Sequence, residues 1–448
     1  MKIDESVFFT EADIESLARE CALVERKSPI TGFKFLLTFT TGLLHTPDGT
    51  LAQLAAFLSA ACKTEVSPQA LDERINIASV AFMQCCLEQA LAMAKRPRAF
   101  DRGVLAAFDH VYIIDSTNFD LHPSLRALFK GSSGSASKAA MRIQLVLDYL
   151  TGRLYVEIGD TQLCDAPTLQ RLVESHTLDI SGQCLFLSDL GYFKIDTFAN
   201  INQDQQYFLS KCKFGVTLQD AKGGKLDLQA LLKKVPGALD LVVTIDTKTY
   251  RLVGKKLPDE VVNQRLRKAN QDARRKRGGS ITDAYRLFLQ YALFLTNLPP
   301  PYGIDTLFTL YRIRWQIELV FKTWKSILAI HKIRSAKWER VLCAVYGKLI
   351  LAALSTVITA EAETQRDGIV ISLHRAMQHL RTVALPWAVA IMQGASALAA
   401  FIAKQTLAIA RLCKKHRQTN KPTIEIRLQQ AKAEKTNVGT RDHHIALA

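Results

Sequence analysis

Apolar residues along this chain recur in two periods, and the changes between them divide it. The first hundred residues are helical in pattern, with apolar positions three and four apart. Thr50 can cap a helix running to about Ala61, and Ser67-Pro68 opens a second one running through Ala78, because Ser caps well and Pro suits the first helical position. With the polar turn Lys63-Thr64-Glu65 between them, the pair reads either as a helix-turn-helix that binds DNA or as an ordinary helical hairpin. Strand grammar follows. Val111-Tyr-Ile-Ile114 is a continuous apolar run ending in Asp115, as in a strand buried on both faces. Beyond the Gly/Ser-rich loop from Gly131 to Ser137 come strands from Arg142 to Leu147 and from Leu154 to Ile158. A helix from Pro167 to about His176 and a second buried run, Cys184-Leu-Phe-Leu187, then lead to Ser188-Asp189.

Three strands, a helix and a fourth strand predict an α/β fold with a ribonuclease-H-like mixed sheet. Its first and fourth strands are adjacent and parallel, so Asp115 and Asp189 are expected side by side at equivalent strand ends. Strand signals resume at Tyr207 to Leu209, Leu241 to Ile245, Thr249 to Val253 and Tyr291 to Leu295. The expected layout is a helical, DNA-binding N-terminal region (1–100), a first core segment (101–212), a β-rich basic insertion (213–284), a second core segment (285–345) and a helical C-terminal region (346–448). That last region is suited to dimerisation and ends in a polar, flexible tail from Lys414.

One predicted helix, from Asp305 to Leu328, carries unusual chemistry. It contains no Gly or Pro, Asp305 can cap it, and Ile313, Ile317, Val320, Phe321, Trp324 and Leu328 form an apolar face. Tyr311, Arg314, Glu318 and Lys325 fall within roughly 60° of one another on a neighbouring face, at about 100° per residue. A phenol, two cations and a carboxylate on one stripe suit a phosphate beside a metal; a solvated face with charge pairs is the plain alternative.

Composition adds a partner class. The 448 residues hold 58 basic against 42 acidic side chains, a formal charge of +16, which favours a polyanion. From Arg251 to Ser280 the chain has ten Lys or Arg (Arg251, Lys255, Lys256, Arg265, Arg267, Lys268, Arg274, Arg275, Lys276 and Arg277) against three acids. The tract is either a solvated linker or a phosphate-tracking segment. Nine cysteines without a Cys-x-x-Cys pair read as reduced core residues, neither a zinc site nor a disulfide frame. The polar, acidic start does not read as a secretory signal. Ala384 to Ala403 lacks charge over twenty residues, but its Pro, Gln, Gly and Ser favour a buried C-terminal helix over a bilayer span. No phosphate-cradling Gly-x-x-x-x-Gly-Lys-Ser/Thr loop occurs.

Asp115, Asp189 and Glu318 together make a candidate ligand set for two Mg²⁺ ions, with Mn²⁺ as a substitute. Such ions prefer oxygen donors and use few protein carboxylates, and a pair of them can activate a hydroxyl and stabilise the leaving oxygen of a phosphodiester. Asp109, Asp120 and Asp148 are rivals for the strand-end positions.

With these residues in view, the chain resembles DDE transposases of insertion-sequence family 4. Their hallmark is Tyr, two residues, Arg, three residues, Glu, six residues, Lys, and Tyr311, Arg314, Glu318 and Lys325 fit every gap. Asp115 in Ile-Ile-Asp-Ser-Thr and Asp189 in Ser-Asp-Leu-Gly-Tyr match the first two acids, although Leu190 stands where many members carry Arg. The resemblance implies cut-and-paste movement without ATP: 3′-end nicking, hairpin formation and strand transfer at one metal site. It implies as partners double-stranded DNA (terminal inverted repeats and target) and a second copy of the chain in a synaptic homodimer, with no membrane partner. A cytoplasmic, bacterial setting follows, at the nucleoid when DNA is bound. By the same resemblance Tyr311 and Arg314 grip a phosphate beside a flipped base and Lys325 contacts the same DNA end. The family's stacking Trp has no counterpart, because Trp315, Trp324, Trp338 and Trp387 all lie outside 213–284, which leaves Tyr250 as a substitute. The rival readings are a nuclease of the same fold that cuts without joining, and a DNA-binding regulator over an inert core.

Overall fold

The computed structural model describes residues 10–94, 98, 100–131, 138–175, 177–220, 222–235, 237–277, 279–365, 369–415 and 422–437. Most of the predicted Gly/Ser-rich loop, 132–137, lies outside the described residues, as do Gly278 of the basic tract and, in the predicted flexible tail, residues 416–421 and 438–448. Eight strands are described: β1 His110–Asp120, β2 Ala140–Asp148, β3 Leu154–Gly159, β4 Cys184–Ser188, β5 Tyr207–Lys211, β6 Ala238–Ile245, β7 Lys248–Lys256 and β8 Tyr291–Thr296. They form one mixed sheet in the order β3-β2-β1-β4-β5-β8-β7-β6.

The first and fourth strands are neighbours, as their order in the sequence predicts. β1 runs parallel to β4 from His110 opposite Cys184 to Ile114 opposite Ser188, and β4 runs parallel to β5 from Leu185 opposite Tyr207 to Ser188 opposite Ser210. Residues 110–114 and all of β4 are buried, which explains apolar runs without alternation. The insertion does not build a sheet of its own. In its antiparallel β6–β7 hairpin, β7 pairs antiparallel with β8, and β8 pairs with β5 on its other edge, so both edges of β8 are satisfied. Nor is the insertion all strand: the basic tract lies on the helix Asp259–Arg277.

Contacts divide the chain into two compact units. One comprises residues 102–115, 164–314 and 422–448. Here the helices Asp165–Glu174 and Ile195–Gln203 pack on each other, and Ile195–Gln203 packs on β5. The tail contributes a helix, Ile424–Asn437, against Gly103–Ala107 and the helix Ile304–Arg312. The tail was expected to be flexible because it is polar, but Ile424, Leu428 and Ala431 recur at helical spacing and are buried. Gly103, at φ +51, permits the close approach: a Cβ there would lie 2.4 Å from the Leu428 carbonyl oxygen.

The other unit comprises residues 1–101, 116–163 and 315–421 and is mostly helical. Thr50 caps Leu51–Cys62 through a capping box with Gln53, as expected. The helix capped by Ser67 stops at Arg74, because Asn76 caps a separate helix, Ile77–Met93, bent 75° from the first. The apolar stretch from Ala384 also breaks, at Gly394 with φ +98, into Ala384–Met392 and Ala395–Leu412. Among the described helices two are long and apolar enough to cross a membrane. Trp338–Thr364 has 83% of its apolar window buried, and Ala395–Leu412 has 28%. The second figure departs from the buried helix expected there.

Candidate active site

Register carries the first acid pair into place. The parallel pairing of β1 with β4 ends at Ile114 opposite Ser188, so Asp115 and Asp189 are the next residue on each strand. β4 and β5 end at Ser188 opposite Ser210, so Lys211 is the next residue on the third strand. An acid, an acid and a cation therefore occupy one row across three adjacent parallel strands, about 4.8 Å apart per strand. The row lies at the carboxyl ends of β4 and β5, whereas β1 continues past Asp115 to Asp120, so Asp115 is not at the strand end expected of it.

The helix Ile304–Arg312 brings up the rest. Tyr311 is 9% exposed and its ring packs 4.5 Å from that of Phe294. Its hydroxyl donates to the Ser188 carbonyl at 3.2 Å and lies 3.4 Å from Asp189 Oδ1. Lys211 Nζ donates to Asp189 Oδ1 at 3.2 Å, and Arg314 donates to Asp115 Oδ2 at 3.2 Å. Both cations also flank the Tyr311 ring, with Lys211 Nζ 5.8 Å and the Arg314 guanidinium 6.0 Å from its centroid.

These contacts set the charge states. Burial pushes Asp189 up, but Lys211, the Leu190 N–H and Arg314 outweigh it and hold the carboxyl below its ordinary range. Burial and then the Asp189 charge push the Tyr311 phenol well up, so it stays protonated and able to donate. The result is an Asp189 carboxylate held below its ordinary range beside a neutral phenol, with Arg314 paired to Asp115.

A more than half-length match decides the family. The model of the family described as "Transposase DDE domain" matches residues 106–354. The chain belongs to the DDE transposase family. It is similar to the transposase for insertion sequence element IS1151 of Clostridium perfringens, with 29% identity covering 77% of each chain. It is also similar to the transposases for IS231D of Bacillus thuringiensis subsp. finitimus (29% identity, 76% of each chain) and IS231B of subsp. berliner (26%, 76% of each). This DDE transposase is accordingly an enzyme acting on DNA.

The structure gathers Asp115, Asp189, Tyr311 and Arg314 in one unit, while Glu318 and Lys325 belong to the other, on the helix Trp315–Ser326. The single helix expected from Asp305 to Leu328 is two. At Ile313 and Arg314 the backbone bonds tighten to i−3, Ile313 N–H to Leu310 and Arg314 N–H to Tyr311, and the i−4 ladder stops. Gly303 and not Asp305 occupies the cap, and the Asp305 carboxylate pairs with Lys255. Tyr250, the suggested stacking residue, is 1% exposed and offers no face to a base. Arg251 also leaves the phosphate-tracking set: it is 8% exposed, pairs with Asp240 and donates to the carbonyls of Leu298 (2.7 Å) and Pro299 (2.9 Å).

Lys211 escaped sequence reasoning. Carrying the register that aligned Asp115 with Asp189 one strand further was the signal that would have found it. Members of this family generally act with divalent metal ions, and two aspartates in one row on adjacent strands are suitable hard donors. Among the described residues, no three His, Cys, Asp or Glu side chains converge to hold an ion. The same two carboxylates pair with Arg314 and Lys211.

Proposed function

We propose that the chain is an insertion-sequence transposase of the family 4 type, with a ribonuclease-H-like core, that moves its element by cutting both ends and joining them to target DNA. The observation that carries this reading is the row Asp115, Asp189, Lys211 with Arg314 and Tyr311 against it. The strand order β3-β2-β1-β4-β5 and the Tyr311, Arg314, Glu318, Lys325 spacing support it. Asp115 and Asp189, with Glu318 as third acid by its place in the signature, would hold two Mg²⁺ ions, which when bound supply an activated attacking oxygen and a stabilised leaving oxygen.

The protein's own groups position and neutralise. Tyr311 holds the end of β4 and the Asp189 carboxylate through one hydroxyl. Arg314 and Lys211 pair with the acids in the absence of DNA, and with a scissile phosphate present they turn to its oxygens, as guanidinium and ammonium groups do in phosphoryl transfer. Lys325 contacts the same end. In nicking, a water oxygen bonds to phosphorus as the P–O3′ bond breaks and the 3′-oxygen takes a proton. In hairpin formation that 3′-hydroxyl attacks the opposite strand's phosphodiester and expels the flanking strand as a 3′-hydroxyl. A second water reopens the hairpin and frees the 3′-hydroxyl again, which then attacks a target phosphodiester and expels a target 3′-hydroxyl. Each P–O bond broken is thus replaced by another and no ATP is consumed.

An unpaired end base needs an aromatic surface. Phe214 is 42% exposed, three residues past Lys211 and so within about 10 Å of chain. Its ring lies 4.9 Å from Tyr285 and 5.3 Å from Phe288, on the helix Asp283–Phe288, which buries none of its residues. We assign base stacking to Phe214 and Tyr285. Two copies of the chain act across the two element ends.

The deciding experiment incubates the full chain with duplexes ending in the element's terminal inverted repeats, with and without Mg²⁺, beside Asp115→Asn, Asp189→Asn and Glu318→Gln. Metal-dependent nicks, hairpins and joined products from the parent, absent from all three variants, support the proposal. Parental cutting by Glu318→Gln refutes the three-acid assignment, and cutting without joined products favours a nuclease.

A further inference from the structure

The helical unit holds a second basic feature that the active-site reading does not use. A cavity of about 660 Å³ opens beside the first turn of the helix Leu51–Cys62, and its wall carries Lys332, Arg334, Arg340 and Lys348 against a single carboxylate, Asp48. Lys332 and Arg334 are exposed, Arg340 is half-buried beside Asp72, and Lys348 forms the floor at 1% exposure. Asp72 also takes Lys337 at 3.4 Å, so its charge is shared. The cations continue toward the signature: the His331 imidazole is pulled below its ordinary value by burial and then by Lys332, Lys325 and Lys348. Lys325, His331, Lys332 and the cavity thus form one positive field.

We infer that this cavity is a phosphate site, in which Lys332, Arg334 and Arg340, with the first turn of the helix Leu51–Cys62, hold backbone phosphates of a DNA duplex. The chemistry is that of sequence-independent positioning. Arg and Lys at exposed positions neutralise phosphate oxygens, and a helix amino end adds a partial positive charge. A solvated basic hollow is the plain alternative, but a hollow needs no cation line leading to Lys325. The inference rests on the chain acting on DNA. It adds contacts outside the signature, on residues that the catalytic row does not include.

Salt dependence tests it. Fluorescence anisotropy of a labelled end duplex is measured from about 0.1 to 0.3 M KCl for the parent, for Lys332→Gln/Arg334→Gln and for Ala52→Glu, which places an acid at the exposed wall and removes no cation. Each phosphate contact contributes about 0.9 to the slope of log affinity against log salt, so one lost contact costs about eightfold at 0.1 M. The double variant is expected to lose a slope of about 1 to 2 and to bind at least eightfold more weakly, and Ala52→Glu to weaken binding in the same direction. Parental slope and affinity in both variants, with circular dichroism unchanged, overturn the assignment. A second arm adds inorganic pyrophosphate. If pyrophosphate raises the parent's Tm but not the variants', while DNA slopes stay equal, the cavity takes a free anion and the DNA assignment falls. Parental end cleavage beside unchanged slopes sinks the cavity assignment alone, whereas a parent that binds no DNA sinks the transposase reading with it.

Discussion

Replacing Lys348 with Met tests how the helical unit tolerates a buried amine. Lys348 lies on Trp338–Thr364 with 1% exposure, and Nζ donates to the carbonyls of Pro47 (2.7 Å) and Ala329 (3.1 Å). Burial lowers its pKa from 10.5 to about 7, with Asp48 opposing only in part. Because the folded value lies below the unfolded one, the unfolded chain holds the extra proton between pH 7 and 10.5. Stability therefore rises with pH across that window, and the cost of burying the charge is present in full below it. One proton is worth about 1.4 kcal/mol per pH unit, so from pH 7 to 9 Lys348 adds on the order of 2–3 kcal/mol of stability. Met removes that rise. It also takes the donor from the Pro47 carbonyl, a pH-independent loss of about 1–3 kcal/mol offset in part by not burying a charge, whereas the Ala329 carbonyl keeps the Lys332 N–H at 3.0 Å.

All four Trp residues lie in this unit, so Trp fluorescence reports its unfolding without interference from the other. Urea titrations of parent and Lys348→Met at pH 6, 6.5, 7, 8 and 9 give a stability difference in which shared titrations cancel. That difference is expected to shift in favour of Lys by about 2–3 kcal/mol between pH 7 and 9, and to be flat between pH 6 and 6.5. Parallel pH profiles for the two proteins would show that Lys348 keeps its proton throughout, and the argument from burial would fail.

Three further perturbations address the site and its support. Arg314→Met leaves Asp115 without its guanidinium; single-turnover nicking should fall about 100-fold or more while circular dichroism is unchanged, and near-parental nicking would remove Arg314 from the chemistry. Phe214→Ala should leave nicking intact but slow hairpin formation about tenfold and abolish quenching of 2-aminopurine at the end base; parental quenching would refute the stacking assignment. Gly103→Ala forces a Cβ toward the Leu428 carbonyl at a left-handed φ, and should destabilise by more than about 1 kcal/mol and raise hydrogen exchange across Ile424–Asn437; parental exchange would mean the tail helix does not depend on that approach.

What could be read from the sequence follows from where the determinants lie. Strands β1 and β4 were legible because burial on both faces demands unbroken apolar runs, and their adjacency followed from strand order. Asp115 and Asp189 were therefore placed by local signals plus one topological rule. The turn at Ile313–Arg314 was not legible, since it holds no Gly or Pro and Ile313 keeps helical angles; only the change to i−3 bonds marks it. A helical wheel drawn through that turn put Tyr311, Arg314, Glu318 and Lys325 on one stripe, whereas the wheel holds only within each half.

The burial of side chains was the harder quantity. Tyr250 and Arg251 looked like partners for DNA because an aromatic and a cation in a basic segment suggest it. Both sit on β7, an internal strand of the sheet, where Arg251 satisfies loop carbonyls and Tyr250 fills core. Exposure is a property of the sheet order, and composition does not encode that order. Lys211 is the converse case. It is one more Lys by composition, yet it stands one register step past Ser210 on the strand beside Asp189, so it meets a metal-ligand candidate directly. The transferable rule is that carboxyl ends of adjacent parallel strands should be compared as a row once any one of them carries a candidate acid. Applied here, that rule turns a pair of acids into a pair with its own counter-charge. It also accounts for the Asp189 carboxyl being held below its ordinary range by a cation from the neighbouring strand.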